Sequence, residues 1–382
     1  MRFSEIQGNE HVKKLLINSV KGNRVSHGQL FLGPQGCGKL SFAIAYAQYI
    51  ACQNRTDEDS CGICPSCQKF QKLIHPDLHF VYPVVTSTAF KKPVSDDYIS
   101  KWREFVLTRN YHGIDLWYDF IGSENAQGAI FAQESQEIIR KLNLKTFESE
   151  YKVMIIWMAE KMNETAANKL LKMLEEPPEK TLFILISENE EQLLTTIRSR
   201  VQLIKFSPLS TDEIIEALKV EFSNTSDSLI ENAAVLSGGN YLEACSILGE
   251  LTSSGVDGNP DFDLFTTFMR ESFSVHYDKI IKLSDEISKL GREKQKRFFE
   301  YCQRMLRECF LLNCVSNQLV RMTPQEMSFA QKFAPFIHNG NISQLTELFS
   351  EAGRNIERNA YGKLVFTDLA LKVSAQLHIK KV

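Results

Sequence analysis

Long apolar runs are missing from this sequence. No stretch of the 382 residues approaches the roughly 18 consecutive apolar side chains that a bilayer crossing needs, and Met1-Arg2-Phe3-Ser4-Glu5 offers no apolar leader core. A cytoplasmic location with no membrane partner is therefore expected. A dominant charge sign is missing too: 44 basic residues stand against 47 acidic ones, a net charge of −3. That balance argues against a chain that grips DNA alone through a broad basic surface, but leaves open a share in a joint one. Disulfides are not expected, since nine cysteines in an intracellular chain point, where they cluster, to metal.

What is present begins with Gly28-Gln29-Leu30-Phe31-Leu32-Gly33-Pro34-Gln35-Gly36-Cys37-Gly38-Lys39-Leu40-Ser41. A short apolar strand, a G-x-x-x-x-G-K loop and a following helical pattern from Ser41 to Ala47 are the context of a P-loop. Gly33, Gly36 and Gly38 let backbone N–H groups converge on phosphate oxygens, and Lys39 adds a point charge. The next position should carry a magnesium-binding hydroxyl, yet it is Leu40. Ser41 does not replace it, because one residue further along a helix turns the side chain about 100° away. The reading is a P-loop kept as a structural turn with ATP binding weak or lost; a competent ATP site is the alternative.

A second loss lies at Val153-Met154-Ile155-Ile156-Trp157, a continuous apolar run that reads as a buried parallel strand. A working P-loop ATPase ends such a strand with acids for magnesium and for the attacking water. Here the first carboxylate is Glu160, displaced by roughly 7 Å or more at about 3.3 Å per extended residue.

Cys52, Cys61, Cys64 and Cys67 are spaced C-x8-C-x2-C-x2-C. Two overlapping C-x2-C steps set three thiolates on one knuckle and Cys52 closes a tetrahedron, the closed four-sulfur set of structural Zn2+. His75 and His79 could serve as ligands in principle, but four cysteines suffice. From 84 to 128 the chain is aromatic and irregular, with Trp102, Tyr111, Trp117 and Tyr118. It reads either as an insertion packed on the sheet or as a partner-docking element. A helix is expected from Phe3 to Lys21 and another from Asn163 to Glu176, stopped by Pro177-Pro178; strands are expected over Leu78–Tyr82, Thr181–Ile186 and Gln202–Phe206.

Taken together, His27–Gly33, the four cysteines, the stretch Ala167–Pro178 with its Leu-Glu-Glu-Pro-Pro ending, and Arg198-Ser199-Arg200 resemble the AAA-type clamp-loader family of bacterial DNA polymerase III over about residues 3 to 206. The resemblance implies a P-loop AAA-type parallel sheet domain, a small helical lid and an all-α collar that joins five subunits in a ring. Motor subunits of that family carry a threonine after the P-loop lysine, an Asp-Glu pair ending the second strand and a lid arginine. This sequence has Leu40, then Trp157 and Met158, then Leu242. The resemblance also implies that Arg200 reaches into a neighbour's ATP site as an arginine finger, with Val201 standing where the family has cysteine.

The expected domains are 1–207, the P-loop domain with its zinc module (52–67) and insertion (84–128); 208–252, a three-helix lid opened by the capping box Ser210-Thr211-Asp212-Glu213; and 261–382, a helical collar for oligomerisation. The polar segment Thr252–Pro260 is the linker. The leading expectation is a clamp-loader subunit without ATPase activity of its own. It holds its place beside motor and delta-type subunits, supplies Arg200 in trans and helps load a sliding clamp onto primed DNA as part of a polymerase holoenzyme. The alternatives are an active motor using Lys39 and Glu160, and a zinc-containing interaction module outside replication.

Overall fold

The computed structural model describes residues 1–86, 91–123, 128–143, 145–253, 260–314, 320–358 and 360–379. They form two compact units, Met1–Ser246 and Ile247–Val382. In the first, five parallel strands, β1 (Gly28–Leu32), β2 (Leu78–Val81), β3 (Lys152–Trp157), β4 (Thr181–Ser187) and β5 (Gln202–Lys205), lie in the order β2-β3-β4-β1-β5. Every residue of β1, β3 and β4 is buried because helices cover both faces; their centres are continuous apolar runs, with buried polar side chains such as Gln29, Lys152, Thr181 and Ser187 at or near the strand ends.

Successive side chains still part to opposite faces. Phe31, Ile155, Ile184 and Ile186 join the core beneath α1 (Glu10–Lys21) and α2 (Lys39–Ala51), whereas Leu30, Met154, Ile156, Phe183 and Leu185 join the core beneath α6 (Glu134–Leu142) and α7 (Glu164–Glu175). Between α2 and α6 come α3 (Pro65–Gln71), α4 (Ile99–Leu107) and α5 (Ile114–Phe120); α8 (Thr195–Arg198) precedes β5. Three further helices follow, α9 (Thr211–Glu221), α10 (Asp227–Leu236) and α11 (Tyr241–Ser253). The Ser210–Glu213 capping box forms at α9, Ser210 N donating to Glu213 Oε2 at 2.7 Å and Glu213 N to Ser210 Oγ at 3.3 Å.

The helix expected from Phe3 is instead a 3-10 turn at Phe3–Glu5 and then α1 from Glu10. Gly8 and Asn9 both take left-handed conformations (φ 80° and 51°), which a continuous helix excludes. Gly8 has a second reason: a Cβ there would lie 2.4 Å from Leu209 Cδ2.

The second unit is helical, with α12 (Pro260–Ser274), α13 (Tyr277–Ser288), α14 (Arg292–Cys314), α15 (Pro324–Phe333), α16 (Ile342–Glu357) and α17 (Gly362–Leu377). Phe366, Leu369, Ala370 and Val373, one stripe of α17, are buried with Phe298, Met305 and Phe349 in its core. Most of the expected linker, residues 254–259, lies outside the described residues. Among the described residues no helix is long and apolar enough to cross a membrane.

Candidate nucleotide and metal sites

The strand register gathers the site at the carboxyl ends of β1, β4 and β3, where open α/β sheets bind ligands. Leu32 pairs with Ser187 and Trp157 with Ile186, so Gly33, Glu188 and Met158 all leave the sheet on this edge. The P-loop turn is formed. Gly36 and Gly38 have φ of 73° and 82°, and a Cβ on Gly33 would meet Phe206 at 2.7 Å.

Lys39, almost wholly buried, is turned back into its own loop. Its Nζ donates to Gly33 O at 2.8 Å and Pro34 O at 2.5 Å, and lies 3.7 Å from Glu188 Oε1. Burial pushes the Glu188 carboxyl up, and the nearby Lys39 ammonium partly offsets this. Leu40 is buried in the core and offers no oxygen. The Ser41 hydroxyl is committed to Asn110 O. Where acids would follow β3, Trp157 is buried against Trp102, ring centroids 5.2 Å apart, and Met158 is left-handed (φ 56°). Glu160 Oε1 instead accepts from Glu188 N at 2.8 Å.

The insertion packs on the sheet. Trp102 and Trp117 are fully buried; Trp102 stacks on Tyr82 of the β2 edge at 3.9 Å and meets Trp117 edge-on at 5.3 Å. Its tryptophans lie on α4 and α5, with Tyr98, Trp102 and Phe105 at i, i+4 and i+7, and these aromatics pack both on one another and on Phe80 of β2 and Trp157 of β3.

Arg200 follows α8. One guanidinium nitrogen donates to Thr196 O at 2.8 Å, and another pairs with Glu175 at the end of α7 at 2.6 Å. The pair is partly solvated, the kind of ion pair worth about 0–1 kcal/mol. Arg198 pairs with Glu190.

The four cysteines converge as their spacing implied. Cys52 caps the end of α2, Cys64 caps the start of α3, and the four sulfurs lie within 4.8 Å of one another, Cys61 and Cys67 at 3.9 Å. Tetrahedral zinc–thiolate bonds of about 2.3 Å set sulfurs about 3.8 Å apart, so the donor set fits. Backbone N–H groups of Cys61, Cys64 and Cys67 point at Cys52, Cys61 and Cys64 sulfurs at 3.3, 3.4 and 3.5 Å, orienting them. His75 and His79 stand apart from this set; burial lowers both, His79 to about 4, which keeps them neutral.

A parallel sheet with its glycine-lysine turn opening α2 defines a P-loop, AAA-type domain with a four-cysteine module grafted after that helix. The sequence model of the family described as "DNA polymerase III, delta subunit" matches residues 8–210, and the chain belongs to that family. It is 34% identical over 207 residues to DNA polymerase III subunit delta' of Bacillus subtilis, covering 54% of this chain and 50% of that protein. It is 26% identical over 260 residues to the gamma/tau subunit of Mycobacterium tuberculosis, covering 67% of this chain and 38% of that protein. The chain thus spans about half or less of the length of these curated relatives. A DNA polymerase III gamma subunit-related protein of Thermotoga maritima superposes over 96% of this chain and 99% of that one, at 14% identity and a TM-score of 0.36.

Proposed function

We propose that this chain is a non-hydrolysing clamp-loader subunit of the delta-prime kind. It occupies a place in a five-subunit ring beside motor and delta-type subunits, supplies Arg200 in trans to a neighbour's ATP site, and helps load a sliding clamp onto primed DNA. One observation carries the reading: Leu40, Trp157 and Met158 remove the oxygens for magnesium and water, while Arg200 stays at a solvated turn. The weak pair with Glu175 is readily exchanged for a phosphoryl group, and a guanidinium there stabilises charge developing on the transferred phosphoryl. The four cysteines hold a structural Zn2+ that ties the end of α2 to α3 and takes no part in the chemistry.

The test is the ring reconstituted with Arg200→Ala. Hydrolysis at the one site that receives Arg200 is expected to fall by a factor of about 10³ or more, lowering the ring's DNA-stimulated ATP turnover, while the variant still assembles. An assembled ring with an unchanged rate would discard the finger.

A further inference from the structure

We propose that the loop from 108 to 113, carried by the aromatic insertion, is an intramolecular plug that occupies the nucleotide site and shuts the P-loop to nucleotide. The insertion reaches Trp157 and Leu242, two of the positions where hydrolytic chemistry is missing, and Ser41 beside a third, Leu40. Trp102 covers Trp157 at the end of β3. Asn110 takes the Ser41 hydroxyl with its carbonyl and donates its side-chain amide to Glu5 O at 2.9 Å. Gly113 is pressed against Gln35 of the loop and Leu242 of α11 so closely that a Cβ would lie 2.9 Å from each.

Tyr111 is the centre of the plug. Its ring lies over the P-loop, 3.3 Å from where a Cβ on Gly38 would stand, and it stacks on Tyr241 with centroids 4.2 Å apart. Its hydroxyl reaches Gln7 O at 3.4 Å, so one buried side chain joins the amino-terminal segment, the P-loop and the start of α11. The start of α11 closes the other side: Tyr241 N approaches Gly36 O at 3.4 Å, and Asn240 Oδ1 sits 1.9 Å from where a Gly36 Cβ would be. Within the loop, Lys39 fills the cradle with its own ammonium. A cavity of about 420 Å³ remains beside Tyr111, but Glu5 and Glu221 line it with Arg109, a poor lining for a polyphosphate.

This goes beyond the lack of hydrolysis, since a site can bind nucleotide without cleaving it. The test is hydrogen exchange of the Gly33–Leu40 peptide in the full chain, with and without millimolar ADP, for the wild type, Tyr111→Gly and Tyr111→Phe. The wild type is expected to show no ADP-dependent protection. Tyr111→Gly should exchange about tenfold or more faster there without ligand, as a locally opened segment does. Tyr111→Phe, which keeps the ring, should match the wild type. ADP protection of the wild-type peptide overturns the plug and leaves the proposed role standing. So does unchanged exchange in Tyr111→Gly, or an equal rise in Tyr111→Phe. Should the glycine variant unfold, as exchange across β3 would reveal, the other two arms still decide.

Discussion

Replacing Trp102 by alanine should measure how deeply the insertion belongs to the first unit. The indole is fully buried, stacked on Tyr82 and in edge or tilted contact with Trp117, Phe80 and Trp157. A tryptophan buries about 150–250 Å², which at about 25 cal/mol per Å² amounts to about 4–6 kcal/mol. One term works in the other direction: Trp102 Nε1 is buried without a hydrogen-bond partner among the described residues, so its removal relieves about 1–3 kcal/mol. The net expectation is about 3 kcal/mol, at the low end of the range for tryptophan truncation. For a unit of this size that lowers Tm by about 6–12 °C. Thermal unfolding followed by far-UV and near-UV circular dichroism reads both the shift and the loss of aromatic packing. Trp102→Phe, which keeps a ring and removes the orphaned N–H, should lose less than half as much. A shift below about 2 °C for Trp102→Ala would refute the reasoning and return the insertion to the status of a surface appendage.

Two other perturbations have worked signs. Burial pushes Glu134 up to about 7, its Oε2 accepting from Ser95 N at 2.7 Å while Oε1 has no partner among the described residues. A carboxyl raised in the folded state contributes stability present below its unfolded pKa, near 4.5, and lost as pH rises through about 7. Glu134→Gln should therefore stabilise the chain at pH 8, by an amount on the order of a few kcal/mol, and flatten stability between those values; urea unfolding at pH 5 and pH 8 checks this, and equal slopes for variant and wild type would contradict it. Metal analysis of the purified chain should find about one zinc, and Cys61→Ser should lose it; a folded wild-type chain without metal would contradict the four-thiolate site.

The parts of this fold that were legible in the sequence are those whose signal is local. β1, β3 and β4 contain continuous apolar runs, Leu30–Leu32, Val153–Trp157 and Leu182–Ile186, because both their faces are covered, and α17 shows its buried stripe at helical spacing. The four cysteines were legible for the same reason, all lying within one short segment. The start of α1 was not, because Gly8 and Asn9 turn left-handed to let the chain pass close to Leu209, a partner two hundred residues away. The insertion was not either: Trp102 answers to Tyr82 and Trp157, Tyr111 to Gly38 and Tyr241, and no window of residues contains both halves of those contacts. In the same way the sequence marks Lys39 as a phosphate ligand, but only the folded loop brings its ammonium onto Gly33 and Pro34 carbonyls.

The central claim is that the chain keeps the P-loop frame without its own chemistry. Phosphate release by the isolated chain in magnesium and ATP tests it most directly, with Lys39→Ala as the reference. The account predicts no release above that reference for the wild type. Turnover that Lys39→Ala abolishes would contradict it and make the chain a motor.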